Sequence, residues 1–340
     1  MQALYQILQP FMARPRWLLA LSIPIALLLG ALLVAYFTIV AMPLQTFHGP
    51  LPTLTPKEQA LSTEMRRYVY DLAEEIGERN VEHFPQLQGA ASYITATLES
   101  FGYHVGKEPF VANGKTCWNL VAEIPGGAAK DIVIVGAHYD TAPGAPGAND
   151  NGSGVAATLA LARAYAGKQL SRTIRFVFFA NEEPPHFLQG SRIYAARCRA
   201  RNEAVRAMYS IETIGWYSDS VGSQAYPFPF NLCYPSTGNF IAFVGNMDSR
   251  ALVTEAISAF RQTTAFPSEG ASAPGWITGI GWSDHAAFWE QGYQAIMITD
   301  TAPFRYPFYH TASDTPDRLD YDRMARVVGG LRAHLNALTY

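Results

Sequence analysis

From its middle to its end, this 340-residue chain carries imidazole and carboxylate side chains, most of them at or just after apolar runs. They are His138 and Asp140 in GAHYDT, Asp150 in GANDNGSG, Glu182 and Glu183 in FFANEEP, Glu212 in SIETIG and His310 in FYHTASD. In an open α/β sheet the strand ends are where ligands bind. Imidazole nitrogen together with carboxylate oxygen is a donor set that suits Zn²⁺. One further acid beside a ligand can act on metal-bound water. That inventory is the one a two-metal hydrolase needs.

Each motif also has a plainer reading. Asp140 is placed to take the second ring N–H of His138, as partners of metal-bound imidazoles do, but His-x-Asp alone also fits a surface loop. Asp150 precedes a helix that Ser153 could cap; it can bridge two cations or merely open that helix. Glu182 and Glu183 follow an all-apolar strand, where burial is costly without a balancing cation; the alternative is a solvated acidic turn. Glu212 lies in an apolar strand, as a metal ligand or as one half of a structural ion pair. His310, with the phenol of Tyr309 beside it, is a ligand or a loop residue. Asp284 and His285 in GWSDHAAFW read as support for the site, as pocket wall or as ligands, with Ser283 a candidate cap for the helix that follows.

The elements that must position these residues follow from periodicity. Short apolar runs predict strands at 118–124, 132–135, 174–179, 208–214, 241–244 and 295–298. Between and around them, helical patterns cover 57–76, 88–101, 154–166, 189–199, 251–263 and 321–337. Alternating strands and helices imply an α/β fold with a mostly parallel sheet covered on both faces. The stretches 217–239 and 264–281 are long loops of Gly, Ser, Pro and aromatic residues, of the kind that wall pockets.

The chain is 49% hydrophobic and 16% charged, with a net charge of −3. It has no basic cluster, which argues against a nucleic-acid partner. Trp17 to Phe47 carries no charge, longer than the ~20 apolar residues that span a bilayer. The expected organisation is a cytoplasmic tail (1–16), a transmembrane helix (17–42), a stiff proline-rich linker (43–56) and one catalytic domain (57–340). Arg14 and Arg16 precede the span and the first charge after it is Lys57. That asymmetry places the N-terminus in the cytoplasm and the domain in the periplasm or outside the cell. Cys117, Cys198 and Cys233 leave any disulfide pairing open.

The order HYDT, GANDNGSG, NEE, a later acid and YH, with the lead-in ERN…AASYI…LESFGY, resembles the co-catalytic zinc aminopeptidases and their relatives, the carboxypeptidase-like ectoenzymes and glutaminyl cyclases. The resemblance runs from about Ser62 to the C-terminus. It implies a phosphorylase/hydrolase-like fold with a mixed sheet, parallel at its centre, and two zincs. Asp150 would bridge them, with Glu183 and His310 completing one site and His138 and Glu212 the other. Glu182 would be the general base and Tyr309 would help hold the oxyanion. One departure is Glu212, where the family usually carries Asp. The expected activity is removal of N-terminal residues from peptides. The alternatives are a glutaminyl-cyclase-like single-zinc acyltransferase and an inactive binding ectodomain.

Overall fold

The computed structural model describes the backbone from Arg16 and side chains from Pro24, so the tail at 1–15 lies outside the described residues. Two compact units result, one ending at Ala41 and one running from Met42 to Tyr340. In the first, helix α1 (Arg16–Ala35) contains Pro24 and continues as a π-helical turn, Tyr36–Val40. Among the described residues no helix is long and apolar enough to cross a membrane; the expected span at 17–42 is described only in part.

The larger unit is built on one eight-stranded sheet. Its strands are β1 (Val105–Ala112), β2 (Lys115–Ile124), β3 (Gly126–His138), β4 (Leu170–Phe179), β5 (Val205–Glu212), β6 (Ile241–Gly245), β7 (Ser268–Ser272) and β8 (Ala295–Thr299). Across the sheet the order is β1-β2-β4-β3-β5-β8-β6-β7. The centre, β4-β3-β5-β8, is parallel, as is β6-β7; β1-β2, β2-β4 and β8-β6 are antiparallel. The sheet is therefore mixed, with helices on both faces.

The central strands carry apolar runs (Ile132–Val135 in β3, Phe176–Phe179 in β4, Ala295–Ile298 in β8) where both faces are buried. Val133, Val135 and Ala137 of β3 enter the larger core, while Ile132 and Ile134 enter the smaller one. The larger core is closed by α2 (Pro56–Tyr70), α3 (Phe84–Ser100), α4 (Gly154–Tyr165), α6 (Arg250–Thr263) and α8 (Tyr321–Thr339). Helices α5 (Gln189–Ala200) and α7 (His285–Trp289) cover the other face. Local signals set the ends: Thr55 and Glu58 form a reciprocal capping box at α2, with Pro56 in its first turn, and Asp320 caps α8 through the Arg323 N–H.

Two strands go beyond those predicted, β1 and β7, and both are sheet edges. Segment 264–281, expected as a loop, contains β7. The proline-rich stretch 43–56 lies against the domain: Arg261 donates to the Pro43 and Leu44 carbonyls, and the Ser268 N–H to Thr46 Oγ1 at 2.7 Å.

Candidate metal centre

The acids and imidazoles gather at the C-terminal ends of the parallel strands. His138 is the last residue of β3 and Glu212 the last of β5; Glu182 and Glu183 follow β4. Asp150 comes from the loop that opens α4, and His310 from the loop after β8. All except His310 are buried.

Asp150 stands between the two imidazoles. Its Oδ1 is 3.2 Å from His138 Nε2 and its Oδ2 is 3.0 Å from His310 Nε2. Glu212 Oε2 is 3.3 Å from His138 Nε2, and Glu183 Oε1 is 3.2 Å from His310 Nε2. Two donors on one tetrahedral Zn²⁺, bonded at ~2.0–2.1 Å, are held roughly 3.3 Å apart, so each pair has the spacing of two ligands sharing an ion. His138 with Asp150 and Glu212 forms one such group, and Asp150 with Glu183 and His310 another; His138 with Glu182 and Glu183 forms a third. Buried Asp150 Oδ1 and Glu183 Oε1 have no hydrogen-bond partner, and a cation would satisfy both. The residues present therefore fit zinc.

The charges tell the same story. Burial, and then the neighbouring Asp150, push Glu183 up to about 8. Burial opposes the charged form of His310, but its contacts with Asp150 and Glu183 prevail and raise it to about 10. Burial also opposes ionisation of Asp150, yet the two imidazoles hold it below the usual carboxylate range. Packed acids that must share imidazolium charge are a site arranged for stronger cations.

Supporting residues fix the donors. Asp140 lies 3.5 Å from His138 Nδ1, and its two oxygens accept the Glu182 and Glu183 backbone N–H groups, both at 3.1 Å. It thus aligns one donor imidazole and the acidic pair with a single side chain. Ser283 Oγ donates to Glu212 Oε2 at 2.8 Å and Asn151 Nδ2 to the same oxygen at 3.3 Å. Ser283 therefore steadies Glu212 instead of capping α7. Ser153 likewise makes no cap; its hydroxyl donates to the Asn149 carbonyl and accepts the Ile214 N–H.

Motif reading missed two residues. Asp314 accepts the Asn149 N–H at 2.8 Å, the Asp150 N–H at 3.1 Å and the Tyr306 hydroxyl at 2.7 Å. Fully buried Arg79 donates to the carbonyls of Tyr139, Pro146 and Gly147 at 2.6–2.9 Å, and to Leu72 and Gly77 at 3.3 Å. Together they grip the Asp150 loop from two sides. The ERN lead-in held the only available hint, for Arg79. Backbone strain occurs here too: Asn181, Thr213 and His310 have φ between +45° and +60°, and each is or adjoins a site residue, the usual place for such strain.

Asp284 and His285 stand outside the three donor groups. Asp284 is fully buried beside the site, and burial pushes it up to about 7. His285 Nε2 contacts the Ile280 carbonyl at 2.8 Å and its ring meets Trp289 edge to face. Tyr309 stacks on His310 with ring centroids 3.8 Å apart. Beside these two opens a cavity walled by Tyr226, Phe230, Phe240, Trp282 and Phe304, with Glu212 and Tyr309 in its lining. Asp284 and His285 do not line it. The long loops read from composition do, as that reading anticipated.

The match to known proteins agrees with this geometry. The model of peptidase family M28 matches residues 119–333. An uncharacterized protein, YfbL of Escherichia coli K12, is 34% identical over 301 residues, 85% of this chain and 93% of its own. The fold is similar to that of a zinc aminopeptidase from Bacillus subtilis (TM-score 0.67, 14% identity, 82% of this chain and 95% of that one). It is also similar to that of Fimbriiglobus ruber glutaminyl cyclase (TM-score 0.63, 20% identity, 87% and 99%). The chain belongs to peptidase family M28.

Proposed function

We propose that the chain is a two-zinc aminopeptidase. The observation that carries this is Asp150, whose two oxygens face two different imidazoles, each completed by one more carboxylate. Asp150, His138 and Glu212 would hold one zinc; Asp150, Glu183 and His310 the other. Bound zinc would supply Lewis acidity toward the scissile carbonyl and toward water. Glu182 takes the proton of the attacking water and passes it to the leaving amine. Burial raises Glu182, His138 opposes this, and Glu183 and Glu212 add to it; the net rise is the direction a base working near neutral pH needs. Tyr309 keeps its proton, because burial and then the surrounding acids push it far up, so it can donate to the tetrahedral oxyanion. The acids around the centre favour a free α-amine in the substrate.

The test is Glu182→Gln. It should keep two zincs per chain by metal analysis and lose at least ~10²-fold in turnover of aminoacyl reporter amides. Near-normal turnover with full zinc would refute the assignment. The fold shared with a glutaminyl cyclase supports a second reading, a single-zinc acyltransferase. One zinc per chain, with cyclisation of a glutaminyl peptide and no amide hydrolysis, would favour it; zinc without either activity would favour a binding ectodomain.

We also propose that α1 anchors the domain at a membrane, with the N-terminus cytoplasmic and the domain periplasmic or extracellular. Its described side chains are apolar all round, and Leu28, Leu29, Leu32 and Leu33 are exposed, a surface that needs an apolar partner. Protection of the domain from protease added outside the cytoplasmic membrane would refute this orientation.

A further inference from the structure

The cavity beside the metal centre is largely apolar and aromatic, with a few threonines, and away from Glu212 at the centre its lining carries one charged side chain. Glu269, on edge strand β7, lines it. Its side chain is 22% exposed, and burial pushes it up to about 7 despite Arg261. Arg261 Nη2 lies 3.9 Å away, too far for a hydrogen bond. Arg261 donates to Ser268 and to the Pro43 and Leu44 carbonyls. The Glu269 carboxylate therefore lies in a largely apolar pocket, paired with Arg261 at a distance but not hydrogen-bonded to it.

Sheet register relates Glu269 to the chemistry. Glu212 pairs with Thr299, Thr299 with Ala242 and Ala242 with Glu269. Paired residues share a face of the sheet, so the two glutamates stand on one face in one row. They are three strand spacings apart, about 14 Å between backbones. Between them lie only Thr299 and Ala242, whose short side chains leave the floor of the cavity open. One end of the row is at the metal centre and the other carries an acid.

We propose that this cavity receives the side chain of the substrate's first residue, and that Glu269 selects lysine or arginine there. The inference rests on the aminopeptidase reading above. With the substrate's α-amine at the metal centre, the side chain must cross the floor to meet Glu269. Lysine and arginine have the length, and their methylene stems suit apolar walls while the charged end reaches a carboxylate. Arginine also stacks on aromatic faces, which Tyr226, Phe230 and Trp282 supply. Leucine fills the near part of the cavity and leaves Glu269 desolvated, with no cation hydrogen-bonded to it. The cation Arg305, buried against Phe240, does not line the cavity and is offset by Asp300.

The experiment uses the full chain loaded with zinc. kcat/KM is measured for arginyl, lysyl, leucyl and phenylalanyl reporter amides with wild type, Glu269→Gln and Glu269→Leu. Binding of the free products L-arginine and L-leucine is measured by calorimetry in parallel. Wild type should prefer arginyl and lysyl amides, and both variants should lower the arginine-to-leucine ratio by roughly 10- to 100-fold, the size of a lost charge-assisted hydrogen bond. Product binding should shift in the same sense. A wild-type preference for leucyl or phenylalanyl amides, or an unchanged ratio in Glu269→Gln, overturns the proposal and leaves the aminopeptidase reading standing. If no amide is hydrolysed, that reading fails, and calorimetry decides the pocket separately: Glu269-dependent arginine binding supports the proposal, and its absence overturns it.

Discussion

Glu212 is where a single side chain has most to reveal. The family usually has Asp at this position, and the longer Glu212 reaches Ser283 and Asn151 as well as His138. Glu212→Ala should release one zinc per chain and keep the other, because Asp150, Glu183 and His310 still offer three donors. Glu212→Asp should keep both but bind the second more weakly, since the shorter chain draws the carboxylate away from Ser283 and partners of this kind typically contribute 10- to 100-fold in metal affinity. Metal analysis during stepwise dialysis checks both outcomes. Two zincs retained in Glu212→Ala would end its assignment as a ligand. The donor types were legible in the sequence because each carries its chemistry in its own side chain and most sit next to an apolar run. Ser283 was legible only as a cap, since its bond to Glu212 spans 71 positions.

Among elements, the strand interior was legible and the edge was not. The inner end of a central strand such as β4, Phe176–Phe179, is buried on both faces and reads as a continuous apolar run. β1 (VGKEPFVA) and β7 (SEGAS) pair on one side only, and their sequences carry polar, small and proline residues that give no strand signal. The loop bearing Asp150 was legible as a glycine-rich turn, but not the means of holding it. Arg79 and Asp314 act on backbone N–H and C=O groups, which every residue possesses and which leave no motif. Arg79→Met should leave several buried carbonyls unpaired and cost about 3 kcal/mol or more. Arg79→Lys should recover little, because an ammonium cannot reproduce the planar fork. Urea unfolding of both variants reads the stability, and zinc content reads the loop; wild-type values for Arg79→Met would show that the grip is incidental.

For the whole domain, acid should erode stability through buried histidines outside the donor groups. Burial lowers His334 to about 4, where its Nε2 lies 2.8 Å from the Tyr209 hydroxyl; burial lowers His285 to about 4 as well. The unfolded chain takes up these protons below its ordinary value of ~6.5, whereas the folded chain waits until about 4. In that window the unfolded state binds more protons, so stability falls as pH falls, by up to roughly 3 kcal/mol per histidine. His334→Gln keeps a hydrogen-bonding group beside Tyr209 and cannot take the proton. Its unfolding free energy, followed from pH 7.5 to 5, should decline less steeply than that of wild type. Parallel curves would rule out His334 as a source of the acid sensitivity.

The grip of Asp314 on the Asp150 loop also fixes when the enzyme can exist. Asn149 and Asp150 must wait for a carboxylate about 165 positions later in the chain, and the imidazole that faces Asp150 Oδ2 arrives only at His310. A polypeptide emerging N-terminus first therefore has most of its sheet before it has a complete centre. Fragments that stop short of residue 314 lack the clamp, and those that stop short of 310 lack that imidazole. The cluster of acids and imidazoles is thus incomplete until nearly the whole domain has been made, a timing written into the order of the residues.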